Sequence, residues 1–489
     1  MTYTFEDSYV KTKSGWLHGV RDDYGNHVFK GIPYALPPVG PLRFKDPKPA
    51  LSWQGVREAD HYGPEAVQMY RTFDSEELTF GDDGEAAKYS SEDCLYLNVW
   101  SPARSDDEAL PVFVWIHGGA FMGGSGSGFF YRGGSLARRG IVVVTINYRM
   151  SILGFLSHPS FARHGNFAIM DQTMALNWVK ENIGRFGGDP EKITVGGQSA
   201  GACSVGCLLV SPYAKGLFCR AVMESGTVYG HMLGKMKTRE EMDALGKAFV
   251  RQYLDGDPGR LYTMDALTLT KLGNEYVRGL EQGLVWRPVM DGDIIAGPME
   301  QLFKEQTDRR VEILSGCTED EFISDYPPAV LKEGISEEEY KRLTDAIRSD
   351  SNDYADIKQR FAYTDRAESL YRYSRLNAAA ILADIKDMAA ANAASGNKTY
   401  VYQFCKHTSD PKDLYRSPHS AEIPYLFGNA GYGGAFPWIE NAWGAEDFAM
   451  MNEMQTLWSE FVKGNPLRRS DGTEWEPYAP GKDHVMVLK

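Results

Sequence analysis

Two stretches of this chain are apolar almost without a break, 111–116 (PVFVWI) and 141–146 (IVVVTI). Strands buried on both faces of a sheet read this way. The run 94–100 (CLYLNVW) alternates as a strand should, and shorter β-like runs lie at 9–12, 15–20 and 27–30. Between 171 and 183 (DQTMALNWVKENI) the apolar positions return at helical spacing and lead to a strand at 193–195. Residues 202–210, small and apolar, predict a helix, and 221–226 and 311–316 predict further strands. A long helical stretch from about 238 to 280 separates those two strands, and a charged, amphipathic insertion at 335–395 follows them. The last sheet strand is expected at 399–404, and a helix at 447–462 closes the chain.

Strands and helices in alternation predict an α/β fold, with a mostly parallel sheet, right-handed crossovers and flanking helices. No internal repeat and no linker-like stretch interrupts the pattern, so residues 1–489 are expected to form a single domain. It would carry a small N-terminal β region, with the 335–395 insertion as part of a pocket wall.

The charge balance narrows the function. A net charge of −14 and a pI near 5.3 argue against a nucleic-acid groove and against adhesion to anionic membrane, since both need basic surface. No run approaches the ~20 apolar residues of a membrane span. Residues 1–19 (MTYTFEDSYVKTKSGWLHG) lack a charged segment followed by an apolar one, the mark of a secretory signal. The six cysteines, Cys94, Cys203, Cys207, Cys219, Cys317 and Cys405, are too scattered for a disulfide framework. Cys203 and Cys207 stand one helical turn apart with no His or Cys nearby, and read as core residues. A soluble, cytoplasmic chain is expected, a monomer or weak homo-oligomer, without metal or cofactor.

The chemistry is concentrated in 186–201 (FGGDPEKITVGGQSAG). Gly197-Gln198-Ser199-Ala200-Gly201 is a G-x-S-x-G sequence between a predicted strand and a predicted helix. Such a turn forces its serine into a strained, exposed corner near the positive end of the helix, and flanking glycines avoid collision with the neighbouring elements. This is the nucleophile elbow of an α/β-hydrolase. An acyl-transferring serine also needs a base, a carboxylate to hold that base, and donors for the oxyanion. In this fold the order is serine, acid, histidine, each in a loop after a strand. Glu321 follows strand 311–316 and His419 follows strand 399–404. Position alone leaves Glu319 and Asp320 open as the acid; His407 competes with His419 but sits close to its strand end. The glycine-rich turn His117-Gly118-Gly119-Ala120-Phe121 follows strand 111–116, where oxyanion donors belong. The nearby 123–128 (GGSGSG) superficially resembles a dinucleotide loop, but no suitable helix and acidic residue follow, and a flexible wall of the site is the better reading.

With these residues the chain resembles the type-B carboxylesterases, the family of the cholinesterases and bacterial para-nitrobenzyl esterases. Residues 186–201 match that family's serine signature, and 92–102 (EDCLYLNVWSP) match its second signature. Residues 31–35, 147–149 and 421–428 fit as well, so the likeness runs nearly end to end, weakest over 335–395. The resemblance implies Ser199 as nucleophile, Glu321 as acid and His419 as base. It implies oxyanion donors at the backbone of Gly119, Ala120 and Ala200, and Ser225 as a buried serine bonded behind the acid. Three positions depart from the family pattern. Gln198 replaces a glutamate, Ala120 replaces a third glycine, and Ala66 stands where secreted relatives carry the cysteine that pairs with Cys94. Cys94 is therefore expected to be a free, buried thiol.

The resemblance implies hydrolysis of small-molecule carboxylic esters through an acyl-enzyme. The rival readings are a non-catalytic adhesion protein on the same fold, as in the neuroligin-like branch, and hydrolysis of an amide, thioester or lactone. Cholinesterase-like relatives hold a cation on a tryptophan in the loop before the second signature. Here that loop, 66–93, offers Tyr70, Phe73, Phe80 and Tyr89 but no tryptophan. Gln282 and Leu284 fall where cholinesterases place bulky aromatics, and with Phe121 they are the expected pocket residues. Uncharged esters with short-to-medium or aromatic acyl groups are the expected substrates.

Overall fold

The structure, a computed structural model, describes residues 6–68, 90–162, 165–229, 236–280, 285–306, 310–347, 349, 351–408, 413–429, 443–482 and 484–489. Among the described residues ten strands form the main sheet: β1 (Val20–Arg21), β2 (His27–Pro33), β3 (Tyr96–Ser101), β4 (Leu110–Ile116), β5 (Val142–Ile146), β6 (Gly188–Gln198), β7 (Arg220–Glu224), β8 (Glu312–Thr318), β9 (Thr399–Phe404) and β10 (Val485–Leu488). Their spatial order is β10-β9-β8-β7-β6-β4-β5-β3-β2-β1. From β10 to β5 all neighbours are parallel; β3, β2 and β1 continue antiparallel. A small sheet of Tyr9–Lys11, Trp16–His18 and Val56–Glu58 forms the predicted N-terminal β region.

The strand order explains where chemistry can occur. After β4 the chain places β5 on one side of it and then returns to lay β6 on the other. The connections leave β4 and β6 in opposite directions, which opens a crevice beyond their carboxyl ends. The turn after β4 begins with His117, and the turn after β6 is the serine elbow.

The alternation along the strands divides the core between the two faces. Val112, Val114, Ile116, Ile193, Val195, Ala221 and Met223 belong to one buried cluster, covered by α1 (Phe167–Asn182) and α2 (Ala200–Val210). Phe113, Trp115, Val143, Val222, Leu314 and Tyr402 belong to the other, covered by α4 (Ile423–Phe427) and α5 (Ala445–Lys463). Burying an aliphatic or aromatic side chain of this size contributes roughly 1.5–3 kcal/mol each, so the sheet is a rigid base for its loops.

Three elements differ from the sequence pattern. Thr399–Phe404 is not the last sheet strand, because Val485–Leu488 pairs parallel with it at the edge; four residues are too few to show a period. The helical stretch from 238 to 280 is three helices, Arg239–Tyr253, Arg260–Thr263 and Ala266–Gly279. It breaks where Gly256 takes φ 75 and Pro258 lacks an N–H to continue a helix. Within 335–395, α3 (Ser369–Ala394) is the crossover that parallel pairing of β8 and β9 requires. Its Ala378, Ile381, Ile385 and Ala389 pack on Cys317 and Val401 of those strands.

A buried ion pair fixes the loop after β5. The Arg149 guanidinium donates twice to Asp171 of α1, at 2.7 and 2.6 Å, and their side chains are 4% and 0% exposed. Removing one partner strands the other charge away from water. Asp171→Asn is expected to cost about 3–5 kcal/mol, read as a lower thermal midpoint by calorimetry; an unchanged midpoint would contradict this account of the pair.

Candidate active site

Ser199 sits at the tip of the β6–α2 turn with φ 57 and ψ −123, outside the regions a side chain prefers. Such a conformation costs of order 1–3 kcal/mol and persists only where the surroundings impose it. Its N–H is held by Glu224 O at 2.8 Å. A Cβ on Gly197 would fall 2.5 Å from the Gly201 carbonyl carbon, and one on Gly201 would fall 2.0 Å from Ile116 O. Both flanking glycines are therefore needed for α2 to leave so close to β4.

The turn after β4 lies against this elbow. A Cβ on Gly118 would meet Gln198 O at 2.7 Å and Ser199 Cβ at 3.2 Å. Gly119 takes φ 105 and Ala120 φ 55, and among the described residues their amides have no acceptor. Ala200 is the first residue of α2, where an N–H has no partner within the helix. Below the turn His117 is buried, stacked on Tyr148 at 4.5 Å, and bonded through Nδ1 to Gly118 O at 2.8 Å. Burial lowers the pKa of His117 to about 4, so it stays neutral as a prop.

The three acids after β8 separate by backbone direction. Glu319 N–H bonds to Phe404 O at 2.8 Å and Asp320 N–H to Ser417 O at 3.0 Å, which ties this loop to the one carrying His419. Phe322 then turns the chain with φ 63. Glu319 meets His407 at 3.3 Å and Arg375 at 3.6 Å, and Asp320 meets Arg375 at 3.2 Å. Glu321 alone reaches His419: its Oε2 bonds to Nδ1, while Oε1 accepts from Ser225 Oγ at 2.5 Å and from Thr318 N–H at 3.0 Å. Glu319, Asp320 and His407 have the composition of a metal cluster, but the Arg375 guanidinium already supplies its cation.

His419 Nε2 lies 3.1 Å from the Gln198 amide nitrogen. An amide nitrogen only donates, so Nε2 carries the lone pair and the proton sits on Nδ1, toward Glu321. This is the tautomer a general base requires. Phe322 stacks on the imidazole at 4.7 Å, a contact that no sequence pattern announces. Burial opposes charge on both partners but loses. The His419 charge and the hydrogen bonds hold Glu321 below the ordinary carboxylate range, against burial. For His419, burial pulls down, but the charge and hydrogen bond of Glu321 outweigh it and raise the pKa above 6.5.

The remaining expected residues divide. Phe121 is 1% exposed and packs edge-on against Phe155 at 5.0 Å, in the core beneath the donor turn. Gln282, Leu284, Tyr70, Phe73, Phe80 and Tyr89 lie outside the described residues. Cys94 is a buried free thiol beside Ala66, with its pKa pushed up by burial. Among the described residues no helix is long and apolar enough to cross a membrane.

Comparison with known proteins shows the family. The profile of the Carboxylesterase family matches residues 6–489. The Fumonisin B1 esterase of Sphingopyxis macrogoltabida is 34% identical over 475 residues, covering 93% of this chain and 82% of that protein. The para-nitrobenzyl esterase of Bacillus subtilis (strain 168) is 33% identical over 494 residues, covering 98% and 94%. A solved PNB esterase structure superposes with a TM-score of 0.84 at 32% identity, over 99% of this chain and 96% of that one. The sheet, the loops at its carboxyl edge and these likenesses agree: the chain belongs to the carboxylesterase family and is a carboxylic ester hydrolase.

Proposed function

We propose that the chain hydrolyses esters through an acyl-enzyme on Ser199, with His419 as general base and acid and Glu321 as the carboxylate that orients it. The observation that carries this reading is the Glu321–His419 pair, whose Nε2 lone pair faces the elbow at Gln198. Ser199 Oγ attacks the ester carbonyl as His419 Nε2 takes its proton, and the new oxyanion is received by the N–H groups of Gly119, Ala120 and Ala200. The helix dipole of α2 adds to that stabilisation. The carbonyl re-forms, the alkoxide leaves with the proton from His419, and water repeats the sequence to free the acid. Ser225 supports Glu321 from behind and keeps it ionised.

The substrate reading is a broad esterase for uncharged esters with short-to-medium or aromatic acyl groups, with α3 walling part of the pocket. Met388 of α3 contacts Thr227, two residues beyond Ser225, at 3.5 Å. The same helix, through Asp387, Ala391 and Ala394, also lines with Tyr229 and Lys304 a separate cleft of about 600 Å³ that none of Ser199, His419 and Glu321 borders. Gln198, neutral where a glutamate would attract a cation, supports uncharged substrates.

Ser199→Ala and His419→Ala should each lower kcat by about 10⁴-fold or more, and the double variant should lose little beyond either single one. Glu321→Ala should also abolish most activity. Retention of activity by Glu321→Ala together with its loss in Asp320→Ala would show the acid to be misassigned.

The pH profile follows from the raised histidine. A base whose folded pKa exceeds 6.5 stays protonated, and idle, to a higher pH than a free imidazole. The acidic limb of kcat/KM should therefore have its midpoint above 6.5, and Gln198→Glu should move it higher still by adding a charge at Nε2. A limb that stays put or falls in that variant would contradict the electrostatic reading.

A choline ester and its neutral 3,3-dimethylbutyl analogue should be hydrolysed with similar kcat/KM. A tenfold preference for the choline ester, worth about 1.4 kcal/mol in the transition state, would overturn the assignment to uncharged esters.

A further inference from the structure

A second group of titratable side chains stands behind the reacting edge and takes no part in the steps above. Register places Glu224, the last residue of β7, between Gln198 of β6 and Gly316 of β8, and Gly316 beside Tyr402 of β9. Neighbours in register share a face, here the one covered by α4 and α5. The Tyr402 ring lies across Gly316, where a Cβ would fall 2.3 Å from its Cδ1, and so it leans toward Glu224. Trp458 of α5 closes this pocket: its ring meets Tyr402 at 5.1 Å, and its Nε1 donates to Glu224 Oε1 at 2.7 Å. Glu422 enters the same pocket from the residue before α4, three places after His419.

Both glutamates are 0% exposed. Glu224 Oε2, both carboxyl oxygens of Glu422 and the Tyr402 hydroxyl have no hydrogen-bond partner among the described residues. A carboxylate in such a place, without water or cation, takes up a proton instead of holding its charge. The titratable groups that act on the pair come from every side: Glu321 and His419 from the catalytic loops, Cys317 from β8, Tyr402 from β9 and Tyr131 from the turn before β5. His419 is the one cation among them, and Glu321 already holds it. Further negative charges beside Glu321 would be opposed both by burial and by repulsion.

We propose that Glu224 and Glu422 are a buried acid pair that stays protonated through the neutral range and so adds no negative charge behind His419 to that of Glu321. The pair acts as a positioning element: it fills the space under the histidine loop with neutral polar groups and leaves the basicity of His419 to Glu321. Its effect on the base rests on the catalytic reading of His419; its protonation does not. Burial pushes the pKa of Glu224 up to about 8, and burial with the charges of Glu224 and Glu321 pushes Glu422 well above the carboxylate range. A carboxyl whose folded pKa is raised contributes stability that is complete below the unfolded value of about 4.3 and is lost as pH rises through the folded one.

The test is infrared difference spectroscopy of the full chain at pH 7, with thermal midpoints taken across the pH window. Wild-type protein should show the carbonyl stretch of buried carboxylic acids, diminished in Glu224→Gln and again in Glu422→Gln. Glutamine cannot ionise on unfolding, so the midpoint of each variant relative to wild type should climb steadily between about pH 5 and 8. The acidic limb of kcat/KM should keep its midpoint in Glu422→Gln, because one neutral group replaces another. Absence of the acid band from wild type at pH 7 would overturn the proposal, and that reading needs neither activity nor a folded variant. A midpoint difference that is flat or falls with pH, or an acidic limb lowered by a full unit in Glu422→Gln, would equally show the pair to be ionised. Inactivity of the Ser199 or His419 variants bears on the catalytic reading alone.

Discussion

A carboxylate taken wholly out of water survives only if something accounts for its charge, and the carboxyl edge of this sheet is built around one such group. Glu321 is 0% exposed, yet three contacts keep it ionised: the His419 imidazole with its charge, the Ser225 hydroxyl and the Thr318 amide. Loss of any of them would leave a buried charge short of partners, a more costly state than never having made the bond. The same contacts fix the histidine tautomer and aim Nε2 at the elbow. Structure and chemistry therefore share one constraint.

The sheet supplies the precision. Glu321, Ser225, Ser199 and the Gly119 turn follow the adjacent strands β8, β7, β6 and β4, and His419 follows β9. Backbone bonds carry the spacing from strand to loop: Ser199 N–H to Glu224 O, Ser225 N–H to Gly316 O, and Asp320 N–H to Ser417 O. The loops carrying Ser199, Ser225, Glu321 and His419 are thus each tied by a backbone hydrogen bond to a neighbouring strand or loop. The acid pair proposed under the histidine extends the logic: buried carboxyls near Glu321 that lack a partner are accommodated as acids and not as anions.

Most of the fold could be read from local pattern. Unbroken apolar runs marked β4 and β5, and glycines flanking a serine between strand and helix marked the elbow, because sterics there admit few alternatives. The positions of Glu321 and His419 in loops after their strands were also legible. The choice among Glu319, Asp320 and Glu321 was not legible from position, since it depends on the backbone turning at Phe322 and on which side chain then points inward. Phe322 against His419 is a long-range contact without a sequence period. The edge strand Val485–Leu488 is too short for its pattern to separate it from a loop. The role of 335–395 depends on packing: α3 reads as an amphipathic insertion until its apolar stripe is seen against β8 and β9.

The central claim is that the acyl group passes through Ser199, and rapid quenching captures that event directly. Wild-type protein mixed with a p-nitrophenyl ester, acid-quenched during the burst of nitrophenol release and mapped by peptide mass spectrometry, should carry the acyl mass on the peptide containing Ser199, in proportion to the burst. Hydrolysis with no acylated peptide, or with the label on another residue, would contradict the account.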